Sequence, residues 1–210
     1  MPPPKPPRRG GLVGVLVAVG AVLIKVALPA LTFLKTGGLM LLSVAAYSYA
    51  FQWTWSAAAV FVILIFVHEM GHAISAKYYG IPVSAPVFIP FMGAYVLLKN
   101  RPQDPWVNAI ISYAGPLAGG LGGWVCYWLG LTLDCPWLLT VAFYTFLLNL
   151  FNLVPVSPFD GSHIWITFSR VWTPQMTQEN RYYMGLYLAA LIAGLLLGCL
   201  HCWRYMHPVN

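Results

Sequence analysis

The sequence predicts an all-α polytopic membrane protein with about five to six transmembrane helices and one re-entrant loop that resembles a β-hairpin. Of the 210 residues, 60% are apolar and only 8% are charged, whereas soluble domains carry about 45–50% and about 25%. The longest apolar runs reach the roughly 20 residues that cross a hydrocarbon core. Prolines cluster between two of these runs, where a spanning helix cannot continue. A water-soluble enzyme is therefore excluded.

The charged residues indicate how the chain meets its surroundings. Eleven Lys and Arg residues outnumber five Asp and Glu residues, for a net charge of +6. The basic residues lie mostly beside the apolar runs, as expected for interface anchors and topology signals. We therefore expect contact with the lipid bilayer and no binding of nucleic acid. Residues 1–11 predict a basic, proline-rich tail, and residues 12–210 predict a single membrane-embedded domain.

Six apolar segments are candidate spans or parts of spans. They are Leu12–Leu34, Leu39–Phe51, Ser56–Tyr79, Trp106–Leu133, Trp137–Val154 and Met184–Trp203. Gly37 and Gly38 separate the first two segments, and the second is short for a crossing. Basic residues mark one side of the membrane, so the basic tail and Lys77 at the end of the third run are expected on the same side. This requires an odd number of crossings before Ser56, whereas the two apolar runs there suggest two crossings.

The segment from Pro82 to Lys99 has a different pattern. Its pieces Val83–Ile89 and Ala94–Leu98 are apolar and favour β-structure. Proline density excludes a spanning helix, yet the segment is too apolar for a solvated loop. A re-entrant hairpin shielded by protein is predicted, and a plain connecting loop is the alternative.

The third apolar segment contains the sequence His68-Glu69-Met70-Gly71-His72. Residues four apart share one face of a helix, so both imidazoles can bind one metal ion while Glu69 lies on the adjoining edge. The alternative is a structural histidine pair that is hydrogen-bonded to its neighbours. Because ionisable groups inside a membrane span are costly and need partners, the metal site is favoured.

Two histidines do not complete a catalytic zinc site, which usually has three protein ligands and one water. A third ligand must come from elsewhere in the chain. The candidates are His163, Asp134, Asp104 and Asp160. Asp160 stands out because Pro155 and Pro158 open an apolar helix just before it, an arrangement that membranes tolerate around a polar cavity.

The motif His68–His72 together with Asn152-x-x-Pro155-x-x-x-x-Asp160-Gly161 resembles the paired signatures of the site-2 protease family of intramembrane zinc metalloproteases. The resemblance covers about residues 56–161, the predicted catalytic core. It implies that His68, His72 and Asp160 bind one zinc ion and that Glu69 is the catalytic acid/base. It also implies that Asn152 polarises the substrate carbonyl or orders the site.

The family resemblance extends to the loop over 82–99, with Gly93-Ala94-Tyr95 at its turn. That loop resembles the family's re-entrant hairpin, which implies that it holds an unwound substrate as an added strand. Other small or polar groups are assigned to packing. These are the glycines at 115, 119 and 123, the amide of Asn149, and Cys199, His201 and Cys202.

The resemblance implies a zinc metalloendopeptidase that hydrolyses peptide bonds in or near transmembrane segments, as in regulated intramembrane proteolysis. Its partners would be a transmembrane protein substrate and a membrane-bound regulator, and its location a bacterial cytoplasmic membrane. The alternatives are a non-proteolytic metal-binding scaffold of the same fold and a metal transporter. A transporter should show repeated halves, which the sequence lacks, and a scaffold does not need Glu69.

Overall fold

A computed structural model of the chain describes residues 11–91, 93–100, 102–169 and 173–207. The described residues are mostly helical and include one small antiparallel sheet. The elements in chain order are α1 Gly11–Phe51, α2 Trp55–Tyr78, β1 Val87–Ile89, β2 Gly93–Tyr95, α3 Pro105–Thr132, α4 Pro136–Asn152, α5 Asp160–Trp165, a 3₁₀ turn Ile166–Phe168, and α6 Gln178–Met206.

Three of the described helices, α2, α3 and α6, are long and apolar enough to cross a membrane. Helix α4 is apolar but shorter. These helices support the predicted all-α membrane class, while the expected number of five to six crossings stays a prediction. Helix α3 packs against α2, α4, α5 and α6, so it lies at the centre of this bundle.

The chain before α2 differs from the sequence prediction. Gly37 and Gly38 were expected to separate two apolar runs, but α1 continues through both of them over 41 residues. Each glycine weakens a helix by only about 1 kcal/mol, so the helix formed by the long apolar sequence on either side continues through both. By its internal contacts the chain divides into units Met1–Gly38 and Leu39–Asn210, and helices α2 to α6 lie in the second. The assignment of residues 12–210 to one domain stays a prediction.

Local signals explain where the membrane helices begin. The Thr54 hydroxyl accepts from the Ala57 N–H at the start of α2, and the Asp104 carboxylate accepts from the Trp106 N–H at the start of α3. These caps satisfy backbone donors that a helix leaves unpaired. Pro105 opens α3 and Pro136 opens α4, where the missing N–H has no effect.

The predicted hairpin over 82–99 is confirmed, but its turn is displaced. Strands β1 and β2 pair antiparallel with Phe88 opposite Ala94, and Val83 pairs with Leu98 further down. Gly93-Ala94-Tyr95 forms β2 rather than the turn. The chain reverses just before it, because Pro90 cannot donate to the ladder and Phe91 adopts a positive φ of 66°.

The hairpin runs back along α2. At its base, the Ile81 N–H donates to the Ala76 carbonyl over 2.9 Å. Midway, Phe88 stacks on Phe66 with ring centroids 6.3 Å apart. At its tip, Phe91 contacts Tyr47 of α1, whose ring in turn contacts Phe61. Ala76 and Phe61 are about 22 Å apart along the helix axis, so the hairpin follows much of the length of a candidate membrane span.

Candidate metal centre

The two histidines of α2 and the carboxylate at the start of α5 meet in the bundle. His68 Nε2 lies 3.1 Å from His72 Nε2, and Asp160 Oδ2 lies 3.2 Å from the first nitrogen and 3.3 Å from the second. Ligands about 2.0–2.1 Å from a tetrahedral zinc ion are about 3.3 Å from one another. The triangle therefore has the dimensions of three zinc ligands.

The outer nitrogens of both rings face hydrogen-bond acceptors. His68 Nδ1 lies 2.8 Å from Asn149 Oδ1, and His72 Nδ1 lies 2.8 Å from the Ile111 carbonyl oxygen. An acceptor at Nδ1 places the proton on that nitrogen and leaves the Nε2 lone pair free for a metal. Both histidines therefore have the tautomer that a metal ligand needs.

Whether the triangle fits a cation depends on the hydrogen-bonding character of its three atoms. With both protons on Nδ1, the two Nε2 atoms and Asp160 Oδ2 are all acceptors, and they lie within 4.8 Å of one another. Three acceptors that face each other at hydrogen-bond distance repel unless a cation lies among them. His68 is 3% exposed, and the side chains of His72 and Asp160 are 13% and 20% exposed, so little water can relieve this repulsion. The residues fit a bound metal ion.

The chain between α4 and α5 places Asp160 at the histidines. A Cβ at Gly161 would clash with the carbonyl group of Leu153, so the start of α5 lies directly on the end of α4. The Trp165 indole N–H donates to the same carbonyl over 3.0 Å. This close contact explains why glycine follows the carboxylate in the Asp160-Gly161 pair.

Glu69 lies beside the triangle but does not belong to it. Glu69 is 6% exposed, and its carboxylate lies towards the backbone N–H of Val96, directly after β2. Glu69 thus lies on the side of α2 that faces the hairpin. Among the described residues, only His68, His72 and Asp160 form a group that could hold a metal ion.

Comparison with known proteins shows which family this part of the chain resembles. Residues 56–135, which include both histidines and Glu69, match the model of peptidase family M50. Over 111 residues the chain is also 32% identical to the zinc metalloprotease MJ0392 of Methanocaldococcus jannaschii. That alignment covers 49% of this chain and 32% of the relative, so the chain spans about a third of the curated relative it matches.

These matches confirm the resemblance to the site-2 protease family. A zinc metalloprotease relative and the three-residue group agree on a metal-binding protein. The long apolar helices and the match to the M50 model both support an integral membrane protein.

The other candidates for the third ligand lie elsewhere. Asp104 caps α3, and Asp134 is an exposed residue with a positive φ of 49°. His163 is exposed and contacts Asn108 over 3.4 Å. Asn152 is the last residue of α4 and half-buried, so its role at the carbonyl stays a prediction. His201 packs against Trp124 and Tyr127 instead of joining a described metal group.

Glycines of α3 provide the space for this site. The predicted close packing at Gly115, Gly119 and Gly123 is confirmed. A Cβ at Gly115 would overlap the His72 ring, and one at Gly119 would overlap the Asn149 amide. The packing assignment of Asn149 was incomplete, because its side chain also meets His68. The signal that could have revealed it is a polar amide inside the apolar run of α4, where an unpaired polar group is costly.

Proposed function

We propose that this protein is a zinc metalloendopeptidase that hydrolyses peptide bonds in or near the transmembrane segments of other membrane proteins. The observation that supports this proposal best is the triangle of His68, His72 and Asp160 beside the buried Glu69. Both histidines and Glu69 lie in a helix long enough to span a membrane. A purely structural metal site has no need of a buried carboxylate at its edge.

The proposed mechanism assigns one role to each polar group. His68, His72 and Asp160 would hold a single zinc ion, which when bound acidifies water and polarises a carbonyl group. Glu69 would take the proton of the attacking water and give it to the leaving amine. Asn152 would donate a hydrogen bond to the substrate carbonyl oxygen, which gains negative charge during attack.

Access to the peptide bond determines which substrates fit. Every carbonyl inside a helical membrane segment is hydrogen-bonded, so the segment must unwind before a base and water can attack. The hairpin would stabilise the unwound segment as an added strand. In this proposal the chain crosses a bacterial cytoplasmic membrane five or six times, and a membrane-bound regulator controls access.

The decisive experiment compares metal content and cleavage in variants of the full chain. His72→Ala and Asp160→Ala each remove a ligand and should lose zinc and cleavage together. Glu69→Gln should keep zinc and abolish cleavage, because the amide cannot accept the proton. Asp134→Asn removes an exposed acid and is the matched control, expected to keep both. Full cleavage by Glu69→Gln would contradict the proposal.

A second experiment tests the substrate requirement. Leu or Ala replacements at helix-breaking positions of a cleaved transmembrane segment should slow its cleavage, since they stabilise the helix. The same replacements in the flanking loops serve as the control. Equal cleavage rates for the interrupted and the continuous helix would contradict the unwinding step.

A further inference from the structure

Asn149 occupies an unusual position for an amide. It lies in the apolar helix α4 and is fully buried. Its Nδ2 donates to the Thr145 carbonyl over 2.7 Å, which fixes which end of the amide faces α2. Its Oδ1 therefore points at His68 Nδ1, 2.8 Å away.

The two histidines differ in what holds them. The partner of His72 is a backbone carbonyl of α3, which is available whatever the side chain at that position. The partner of His68 is a side chain contributed by α4. The orientation of His68 therefore depends on a single side chain 81 residues away in sequence.

We propose that Asn149 is a positioning residue for the metal centre: its side-chain oxygen accepts the Nδ1 proton of His68 and holds Nε2 towards Asp160 and His72. This inference rests on the proposed zinc site and adds a residue outside its ligand set. Outer partners of this kind fix the tautomer and the ring orientation, and their loss costs about 10–100-fold in metal affinity.

Gly119 of α3 provides the space that the Asn149 side chain occupies when it contacts His68. A Cβ at residue 119 would overlap the oxygen of the Asn149 amide and lie 2.7 Å from its nitrogen. The amide can therefore reach His68 only because α3 has no side chain at this point. Adding a methyl group at Gly119 should displace the amide without changing any polar group.

The test is a zinc titration of the purified full chain against a chelator of known affinity. Asn149→Leu keeps the size of the side chain and removes the acceptor, so zinc should bind about 10–100-fold more weakly. Asn149→Asp keeps an acceptor at Nδ1 but loses the donor to the Thr145 carbonyl, so it should bind zinc clearly more tightly than Asn149→Leu does. Gly119→Ala should weaken binding in the same direction as Asn149→Leu.

Two neighbouring substitutions are matched controls. Thr140→Ala removes a half-buried hydroxyl from α4 that donates to the Pro136 carbonyl and contacts Met206 Sδ. Gly120→Ala adds the same methyl group next to residue 119, where it meets the flexible end of Leu195. Both should bind zinc as the unaltered chain does. Thermal unfolding of the metal-free proteins reports whether each variant folds.

The outcomes separate this inference from the proposed function. Unchanged zinc affinity in Asn149→Leu and Gly119→Ala would overturn the positioning role and leave the zinc site intact. Equal losses in Asn149→Leu and Asn149→Asp would overturn it as well, because they indicate packing alone. Absence of zinc binding by the unaltered chain would overturn the proposed function and, with it, this role.

Discussion

Glycines at spacings of four residues occur in both parts of α3, but they make room for different kinds of side chain. Up to the middle of the helix, Gly115 and Gly119 make room for polar groups, the His72 ring and the Asn149 amide. In the second half, Gly123 accommodates the Phe146 ring, which also lies against Gly198 of α6. The spacing of four residues predicts close helix approach in both halves. What the approach achieves depends on the residue of the facing helix, which the spacing alone does not reveal.

The largest effect should come from Gly115→Ala. Its methyl group would occupy the space of the His72 imidazole, so the ring must leave the triangle. We expect zinc affinity to fall beyond the about 100-fold that follows loss of an outer partner, with loss of proteolysis. Zinc titration checks this result, and unchanged affinity would show that the ring has another position from which to bind.

A smaller and different effect is expected from Gly123→Ala. Its methyl group would lie 2.7 Å from the Phe146 ring, and overpacking of this kind costs about 1–3 kcal/mol. The free energy of unfolding should fall while zinc affinity remains unchanged. Equilibrium unfolding in detergent measures the first quantity and zinc titration the second.

A second substitution makes the Gly123 prediction sharper. Combining Gly123→Ala with Phe146→Leu should recover part of the lost stability, because the smaller side chain leaves room for the methyl group. A loss of zinc affinity in Gly123→Ala would erase the distinction between the two halves of α3.

The smallest effect is expected from Gly120→Ala. The added methyl group meets Leu195 Cδ2 at 2.9 Å, and this atom can move by rotation of its side chain. The free energy of unfolding should change by less than the about 1–3 kcal/mol of an overpacked site. A change as large as that of Gly123→Ala would mean that Leu195 is as constrained as Phe146.

The sequence supports those conclusions that depend on local spacing. His68 and His72 share a helix face because they are four residues apart, and the prolines after residue 81 exclude a spanning helix. The contact between His68 and Asn149 joins residues 81 positions apart, and no local pattern reports such a distance. Gly93 was misassigned to the turn, since glycine fits a turn and a positive-φ strand position equally well. Its φ is 91°.

In the proposed function, the anchoring of the hairpin at its base and its tip has a consequence for where a substrate is cut. Because Ile81 is bonded to α2 and Phe91 contacts Tyr47, the strands cannot slide along the bundle. A peptide paired with them advances about 3.3 Å per residue, and its side chains alternate between two faces. A shift of one residue would turn each side chain to the opposite face. Pairing with the hairpin would thus fix the register of the substrate, and alternative cut sites in one substrate should lie two residues apart.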